Sequence, residues 1–143
     1  MARDTIRVIP YDPQWPAQYE EERIRISQAL GDMIAGIEHF GSTAIPGLAA
    51  KPTIDILVCV EPLQPAEVYV KLLDSLGYVL QVFPGEAPDH VLLQKGHQRT
   101  HHLHIVPQGS YEHWRHLAFR DYLRTHPDTA HAYAELKIRL AQK

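Results

Sequence analysis

The spacing of apolar residues predicts a helix near the start of the chain. Between residues 15 and 30, apolar side chains recur at steps of four, seven and four, the spacing of one helix face. These residues are Trp15, Tyr19, Ile26 and Leu30. Asp12-Pro13 favours a helix start, since an Asp oxygen caps free N–H groups and Pro at the first helical position loses no hydrogen bond. Gly31 ends the helix. The residues expected to face solvent are Glu20, Glu21, Glu22 and Arg23.

The rest of the chain alternates between predicted strands and helices. Strands are predicted at 6–9 (a short edge strand), 34–40, 53–60, 78–83, 90–94 and 102–106, and helices at 65–76, 111–124 and 127–142. The segment 53–60 (TIDILVCV) is apolar on both faces, which indicates a central strand. This order predicts an α/β (α+β) fold, with one mixed sheet flanked by helices in a single domain of residues 1–143.

The two closing helices both carry apolar residues at helical spacing. Trp114, Phe119 and Tyr122 have helical spacing, which favours the core over a base-stacking platform. Tyr133, Leu136 and Leu140 are expected on one face of the last helix.

Asp55 stands in the middle of the predicted central strand. An ionised carboxylate is costly to bury without a cation, a metal ion or several hydrogen-bond donors. Asp55 is therefore a candidate site residue, although it could instead pair with Lys51 or cap a loop.

Upstream, Gly41, Ser42 and Thr43 follow a strand and open a helical turn, where free N–H groups favour a phosphate; the alternative is a plain tight turn.

Ten histidines are present, nine of them between His90 and His131. His102 and His104 lie on one face of a strand, because strand side chains alternate. If they face Asp55, two imidazoles and one carboxylate suit Zn²⁺, Mn²⁺ or Fe²⁺ better than Mg²⁺. The alternative is one exposed polar face. His39, just before the glycine turn, is a candidate fourth ligand or phosphate contact.

Arg120 and Asp121 belong to a dense motif on the first closing helix. Adjacent helical residues point about 100° apart, so the two are not automatically partners. Arg120 could clamp a phosphate, with Lys51 as a second cation, or form a salt bridge tying the closing helices to the sheet. For Asp121 a salt bridge is expected.

Charge and composition exclude several classes of protein. The 143 residues carry a formal net charge of -3, so the broad basic field needed for non-specific nucleic-acid binding is missing. Protonation of every histidine would bring the charge to +7. A lone Cys59 excludes an intramolecular disulfide and an all-cysteine zinc site. The N-terminus lacks the apolar core of a signal peptide, and no stretch approaches about 18 consecutive apolar residues, so a cytoplasmic protein without a membrane span is expected.

Several long motifs resemble one known family. EHFGSTAIPGLAAKPTIDILV, the opening YDPQWPAQYEEE, the strand HHLHIV, and LAFRDYLRTHP with YAELK resemble the GrpB-like proteins, a branch of the nucleotidyltransferase superfamily that includes DNA polymerase β. The resemblance implies a nucleotidyltransferase-type core, with Gly41 and Ser42 at the phosphate loop and Asp55 as the first metal-binding carboxylate. In that superfamily a second carboxylate two residues on helps to hold two divalent metals. Here the second position is Leu57, which cannot bind Mg²⁺.

We therefore expect a protein that binds a nucleotide or another phosphate-bearing small molecule with a divalent metal (Mg²⁺, Mn²⁺ or Zn²⁺), and Asp55 and Ser42 are the candidate catalytic residues for nucleotidyl or phosphoryl transfer. One alternative is a non-catalytic nucleotide-binding or accessory module, linked to coenzyme A synthesis because family members occur fused to dephospho-coenzyme A kinases. Another is a metal-dependent phosphoester hydrolase. A histidine-triad hydrolase fits poorly, since Val106 stands where the third histidine belongs. The acceptor, the base and the oligomeric state stay open.

Overall fold

The computed structural model describes residues 8–81, 90–96 and 100–141. The helices are α1 (Trp15–Leu30), α2 (Ala66–Leu73), α3 (Tyr111–Thr125) and α4 (Pro127–Ala141). The strands are β1 (Ile34–Phe40), β2 (Ile54–Val60), β3 (Tyr78–Gln81), β4 (Val91–Lys95) and β5 (His101–Pro107). Their order along the chain confirms the predicted alternation of helices and strands.

The five strands form one mixed sheet in the order β1-β2-β5-β4-β3. Three neighbouring pairs, β1–β2, β4–β5 and β3–β4, are antiparallel, whereas β2 and β5 are parallel. The parallel pair requires the chain to leave the sheet after β2 and to build α2, β3 and β4 before it returns as β5. The mixed α/β fold predicted from the sequence is confirmed.

The two faces of the sheet are covered by different helices. Ile54, Ile56, Val58 and Val60 of β2 pack in the main core with α1 and α2. Because strand side chains alternate, Asp55, Leu57 and Cys59 lie on the opposite face. On that face Leu57 and Cys59 form a small apolar cluster with Phe40, Val106 and the α3 residue Leu117. The strand is thus buried on both sides, as its sequence predicts.

The start and the solvent face of α1 differ from the prediction. Asp12 accepts a hydrogen bond from the Gln14 N–H (2.8 Å), and the helix itself begins at Trp15, after Pro13 rather than at it. Glu22, predicted to face solvent, is fully buried. Its carboxylate accepts hydrogen bonds from Lys95 Nζ (2.7 and 2.9 Å) and from the Tyr78 hydroxyl (2.7 Å). These partners make burial of a charge possible on an apolar helix face.

The apolar residues of the closing helices are also placed differently. Trp114, Phe119 and Tyr122 are 65%, 50% and 49% exposed, so their assignment to the core is wrong. On α4 the buried residues are Ala130 and Ala134, which pack against Ile45, Leu48 and Leu123. Leu136 and Leu140 stay exposed. Small alanines allow α4 to approach the loop after β1, and the larger residues are left outside.

Parts of three predicted elements lie outside the described residues. They are the start of the edge strand 6–9, the end of the strand 78–83 and the last residue of the helix 127–142. Within the described part, Ile9 forms an isolated bridge with Ala50. Among the helices described, none has the length and apolar character needed to cross a membrane.

Candidate functional site

Asp55 and His102 are neighbours across the central parallel strand pair. His102 Nδ1 lies 3.5 Å from Asp55 Oδ1, and the side chains are 27% and 25% exposed. The carboxylate therefore opens toward solvent on the α3 face, with the His102 ring beside it. The alternative pairing with Lys51 is not formed in the described part of the chain. The predicted meeting of Asp55 with His102 on one sheet face is thus observed.

The turn at residues 41–44 presses directly against Asp55. Gly41 has φ +76°, and a Cβ at this position would collide with Asp55 Oδ2. The following 3-10 helix, Ser42–Ala44, is closed by hydrogen bonds from Ala44 N–H to Gly41 O and from Ile45 N–H to Ser42 O, both 3.1 Å. Glycine is required for the left-handed backbone and also for the close approach. The turn and the carboxylate are therefore in direct contact.

Thr43 points away from this site into the protein. Its side chain is buried, and its hydroxyl donates a hydrogen bond to Thr53 O (3.3 Å). Since that hydroxyl proton is used, Thr43 Oγ1 accepts from His39 Nε2, 2.9 Å away. The hydroxyl is therefore committed to the fold, and the predicted phosphate contact through backbone N–H groups of this turn stays a prediction.

His39 lies on the opposite face of the sheet from Asp55. It pairs with Ile56 in the β1–β2 register, and its ring stacks on Tyr19 of α1 at 4.9 Å. Burial lowers the pKa of His39 to about 4, so the ring is neutral near pH 7. Strand alternation carries its side chain to the α1 face, and the prediction that His39 joins Asp55 as a metal ligand or phosphate contact is corrected.

Lys137 of α4 reaches the turn and was not predicted from the sequence. Its Nζ donates a hydrogen bond to Ser42 Oγ (3.1 Å) and lies 5.4 Å from the centre of the Tyr133 ring. Burial lowers the pKa of Lys137, the nearby charge of Asp55 opposes that shift, and Lys51 adds to it. Both lysines are therefore close enough to act on one another. Spacing alone could not connect residues so far apart in the chain as Ser42 and Lys137.

Arg120 and Arg124 attach α3 to the segment leading into the turn. Arg120 donates to Glu38 Oε1 (2.8 Å) and His39 O (3.0 Å), and also to its neighbour Asp121 (2.9 Å). Arg124 donates to Ala44 O (3.0 Å). Of the two predicted roles for Arg120, the salt bridge to the sheet is the one observed. Arg120 and Asp121 do pair, because a long guanidinium reaches its neighbour despite their different directions.

His104 faces the same side as Asp55 but packs among rings. Its ring contacts Phe40 edge-on (5.0 Å) and lies 5.4 Å from the ring of His116. Burial lowers the pKa of His104 to about 4. His116 in turn lies 3.2 Å from Glu112 Oε2, and its side chain is 16% exposed.

The donors expected for a divalent metal do not assemble into a cluster. Within residues 8–81, 90–96 and 100–141, no group of three or more His, Cys, Asp or Glu side chains is placed to hold an ion. Leu57, at the position of the second carboxylate, is fully buried in the apolar cluster of Phe40, Cys59 and Val106. The ligand set therefore does not fit a two-metal site.

A small surface cavity of about 190 Å³ lies beside the same loop. Its lining residues are Ile45, Pro46, Leu48, Leu123, Arg124, Pro127, Ala130 and His131. Neither Asp55 nor His102 lines this cavity, so it is separate from the carboxylate and its histidine.

Comparison with known proteins places this architecture in a family. Residues 5–143 match the family model described as GrpB protein. A UPF0157 protein of Pseudomonas aeruginosa is 44% identical over 147 residues, covering 98% of this chain and 59% of that protein. The chain thus spans about three fifths of the length of that relative. A dephospho-CoA kinase of Mycolicibacterium paratuberculosis is 42% identical over 81 residues, which cover 54% of this chain and 20% of the kinase.

Solved structures show the same fold. Cid1 in complex with its short product ApU aligns with a TM-score of 0.53 at 14% identity, covering 81% of this chain and 38% of Cid1. Another description of Cid1 names an RNA terminal uridylyl transferase activity, so the likeness is to a nucleotidyltransferase fold. The crystal structure of GrpB from Enterococcus faecalis has a TM-score of 0.88 and 41% identity, covering 95% of this chain and 83% of that chain. Since the family model also matches nearly the whole sequence, this chain belongs to the GrpB family.

Proposed function

We propose that this protein binds a nucleotide or another phosphate-bearing small molecule at the 41–44 turn beside Asp55. The observation that carries the proposal is the contact of Lys137 Nζ with Ser42 Oγ, 3.1 Å apart. It puts an ammonium and a hydroxyl, both able to contact an anion, on the turn that lies against Asp55. The likeness of the fold to Cid1 and the partial match to a dephospho-CoA kinase guide the choice of ligands.

Calorimetric titration tests this proposal directly. The full chain is titrated with ATP, CTP, GTP and dephospho-coenzyme A, each with and without Mg²⁺, Mn²⁺ or Zn²⁺. We expect at least one of these compounds to bind. The Ser42→Ala variant should bind that compound about tenfold more weakly, the effect of losing a hydrogen bond to a charged group. Ser75→Ala, at an exposed serine beyond α2, is the matched control and keeps wild-type affinity. Absence of binding under all these conditions would refute the proposal.

A non-catalytic module is the second candidate function. It is favoured by Leu57, whose apolar side chain is packed where a second acid is needed for two-metal transfer. The same samples answer this question by chromatography of the nucleotide after incubation with a hydroxyl acceptor such as glycerol. Unchanged nucleotide supports the module, whereas products that vanish in Asp55→Asn would favour transfer. A cytoplasmic location stays a prediction from the sequence.

A further inference from the structure

A divalent metal has poor support from the residues around Asp55. Two-metal phosphoryl transfer uses carboxylates that hold both ions. Here the side chain two residues after Asp55 is Leu57, fully buried among Phe40, Cys59 and Val106. The side chains packed around Leu57 are apolar apart from the Cys59 thiol, so this cluster supplies no second oxygen ligand for a divalent ion beside Asp55.

The nearby histidines are engaged in other contacts. His102 already turns Nδ1 toward Asp55 Oδ1 (3.5 Å). His104 packs against the rings of Phe40 and His116. Consistent with these contacts, the described residues contain no set of three metal-ligating side chains.

A positive charge is nevertheless built into the site. The Lys137 ammonium is fixed by its hydrogen bond to Ser42 Oγ (3.1 Å) and by the face of the Tyr133 ring (5.4 Å). The Tyr133 ring is itself held edge-on by Phe119 at 5.5 Å. This lysine is therefore positioned before any ligand arrives, and it lies within the electrostatic reach of Asp55.

We propose that phosphate binding at this site is independent of metal ions, because Lys137 supplies the cation that a divalent metal supplies in two-metal transferases. An anion beside the Asp55 carboxylate needs a positive charge to offset their repulsion, and a tethered ammonium meets that need with no entropy lost to capturing an ion. This inference rests on the proposed function and specifies how its ligand is held.

Titration of the full chain with ATP, in excess EDTA or in excess MgCl₂, tests the proposal. We expect affinities within about threefold of each other in the two buffers. In EDTA, Lys137→Met weakens ATP binding by about tenfold, the loss of one charge-assisted contact, and Lys137→Arg restores most of it. Lys71→Met removes the same charge from an exposed position on α2 and leaves the affinity unchanged. Thermal unfolding of each variant confirms that it is folded.

Asp55→Asn separates the two ways of holding the phosphate. With Lys137 as the cation, this variant still binds ATP in EDTA, because a repelling carboxylate has been removed. Binding that requires MgCl₂ and is lost in Asp55→Asn would overturn the metal-independent site and leave the proposed function standing. Wild-type affinity in Lys137→Met would also overturn it. No binding of ATP in either buffer, together with none of the other nucleotides, would instead overturn the proposed function.

Discussion

Gly41 has no side chain, and this absence allows the 41–44 turn to approach Asp55 closely. Gly41 and Gly47 have nearly the same backbone angle, φ +76° and +79°. They differ in surroundings, because a Cβ at Gly41 meets the Asp55 carboxylate and one at Gly47 meets no atom within 4 Å. The pair therefore separates the effect of backbone strain from that of close approach.

Gly41→Ala is expected to destabilise the protein more than Gly47→Ala. Each alanine in a left-handed conformation costs about 1 kcal/mol, and at Gly41 displacement of Asp55 adds at least about 1 kcal/mol. Urea denaturation of both variants measures the difference. Equal losses of stability would show that the turn can move away from Asp55 without cost, contrary to the close contact described above.

At the scale of elements, α1 is joined to the sheet through one buried carboxylate. Glu22 accepts hydrogen bonds from Lys95 of β4 and Tyr78 of β3, and Arg25 lies 3.1 Å from its Oε1. These hydrogen bonds keep the pKa of Glu22 below its usual value, although burial acts in the opposite direction. The ionised form is therefore the one that holds the helix in place.

Glu22→Gln is expected to lower the free energy of unfolding by about 3 kcal/mol, since breaking a buried ion pair leaves the remaining charge uncompensated. The value is at the lower end of the usual range because Lys95 is 22% exposed. Glu21→Gln, at the exposed neighbour, is the matched control and changes stability by less than about 0.5 kcal/mol. Chemical denaturation of the two variants gives the comparison; similar values for both would refute an anchoring role.

Element order and strand placement followed from periodicity, whereas tertiary contacts did not. Alternation correctly placed His102 and His104 on one face of their strand, because that property is local to one strand, whereas their position on the Asp55 face depends on the pairing of β2 with β5. Glu22 looked like a solvent residue because its partner Lys95 lies on a strand far along the chain. Lys137 was missed for the same reason. Trp114 was assigned to the core because apolar character alone cannot tell a covered helix face from an open one.

At the scale of the whole molecule, the histidines make stability depend on pH. Burial lowers the pKa of His39 and of His104 from 6.5 to about 4. Between about pH 4 and pH 6.5, these two histidines bind protons in the unfolded chain but not in the folded protein, so acid favours unfolding. The stability that these two neutral histidines contribute is fully present above about pH 6.5, and it is lost as the pH falls toward 4. Glu22 adds a loss in the same direction only below its usual pKa of 4.5.

Urea denaturation between pH 7 and pH 4.5 is expected to show this decline, with each buried histidine contributing up to about 1.4 kcal/mol per pH unit. His39→Gln, which keeps an amide donor for Thr43, should have a shallower dependence on pH. His131→Gln changes an exposed histidine and should retain the wild-type slope. A slope unaffected by His39→Gln would contradict burial of a neutral ring at that position.

The parallel pairing of β2 with β5 has a consequence for how the protein folds. Asp55 and His102 are on adjacent strands, yet the whole of α2, β3 and β4 separates them in the chain. Bringing them together closes a long loop, and the entropy lost in closing it is recovered only when the central contacts form. We therefore expect the pairing of Asp55 with His102 to form together with the central β2–β5 contacts rather than early and locally, and an N-terminal fragment ending before β5 would contain the carboxylate without its histidine.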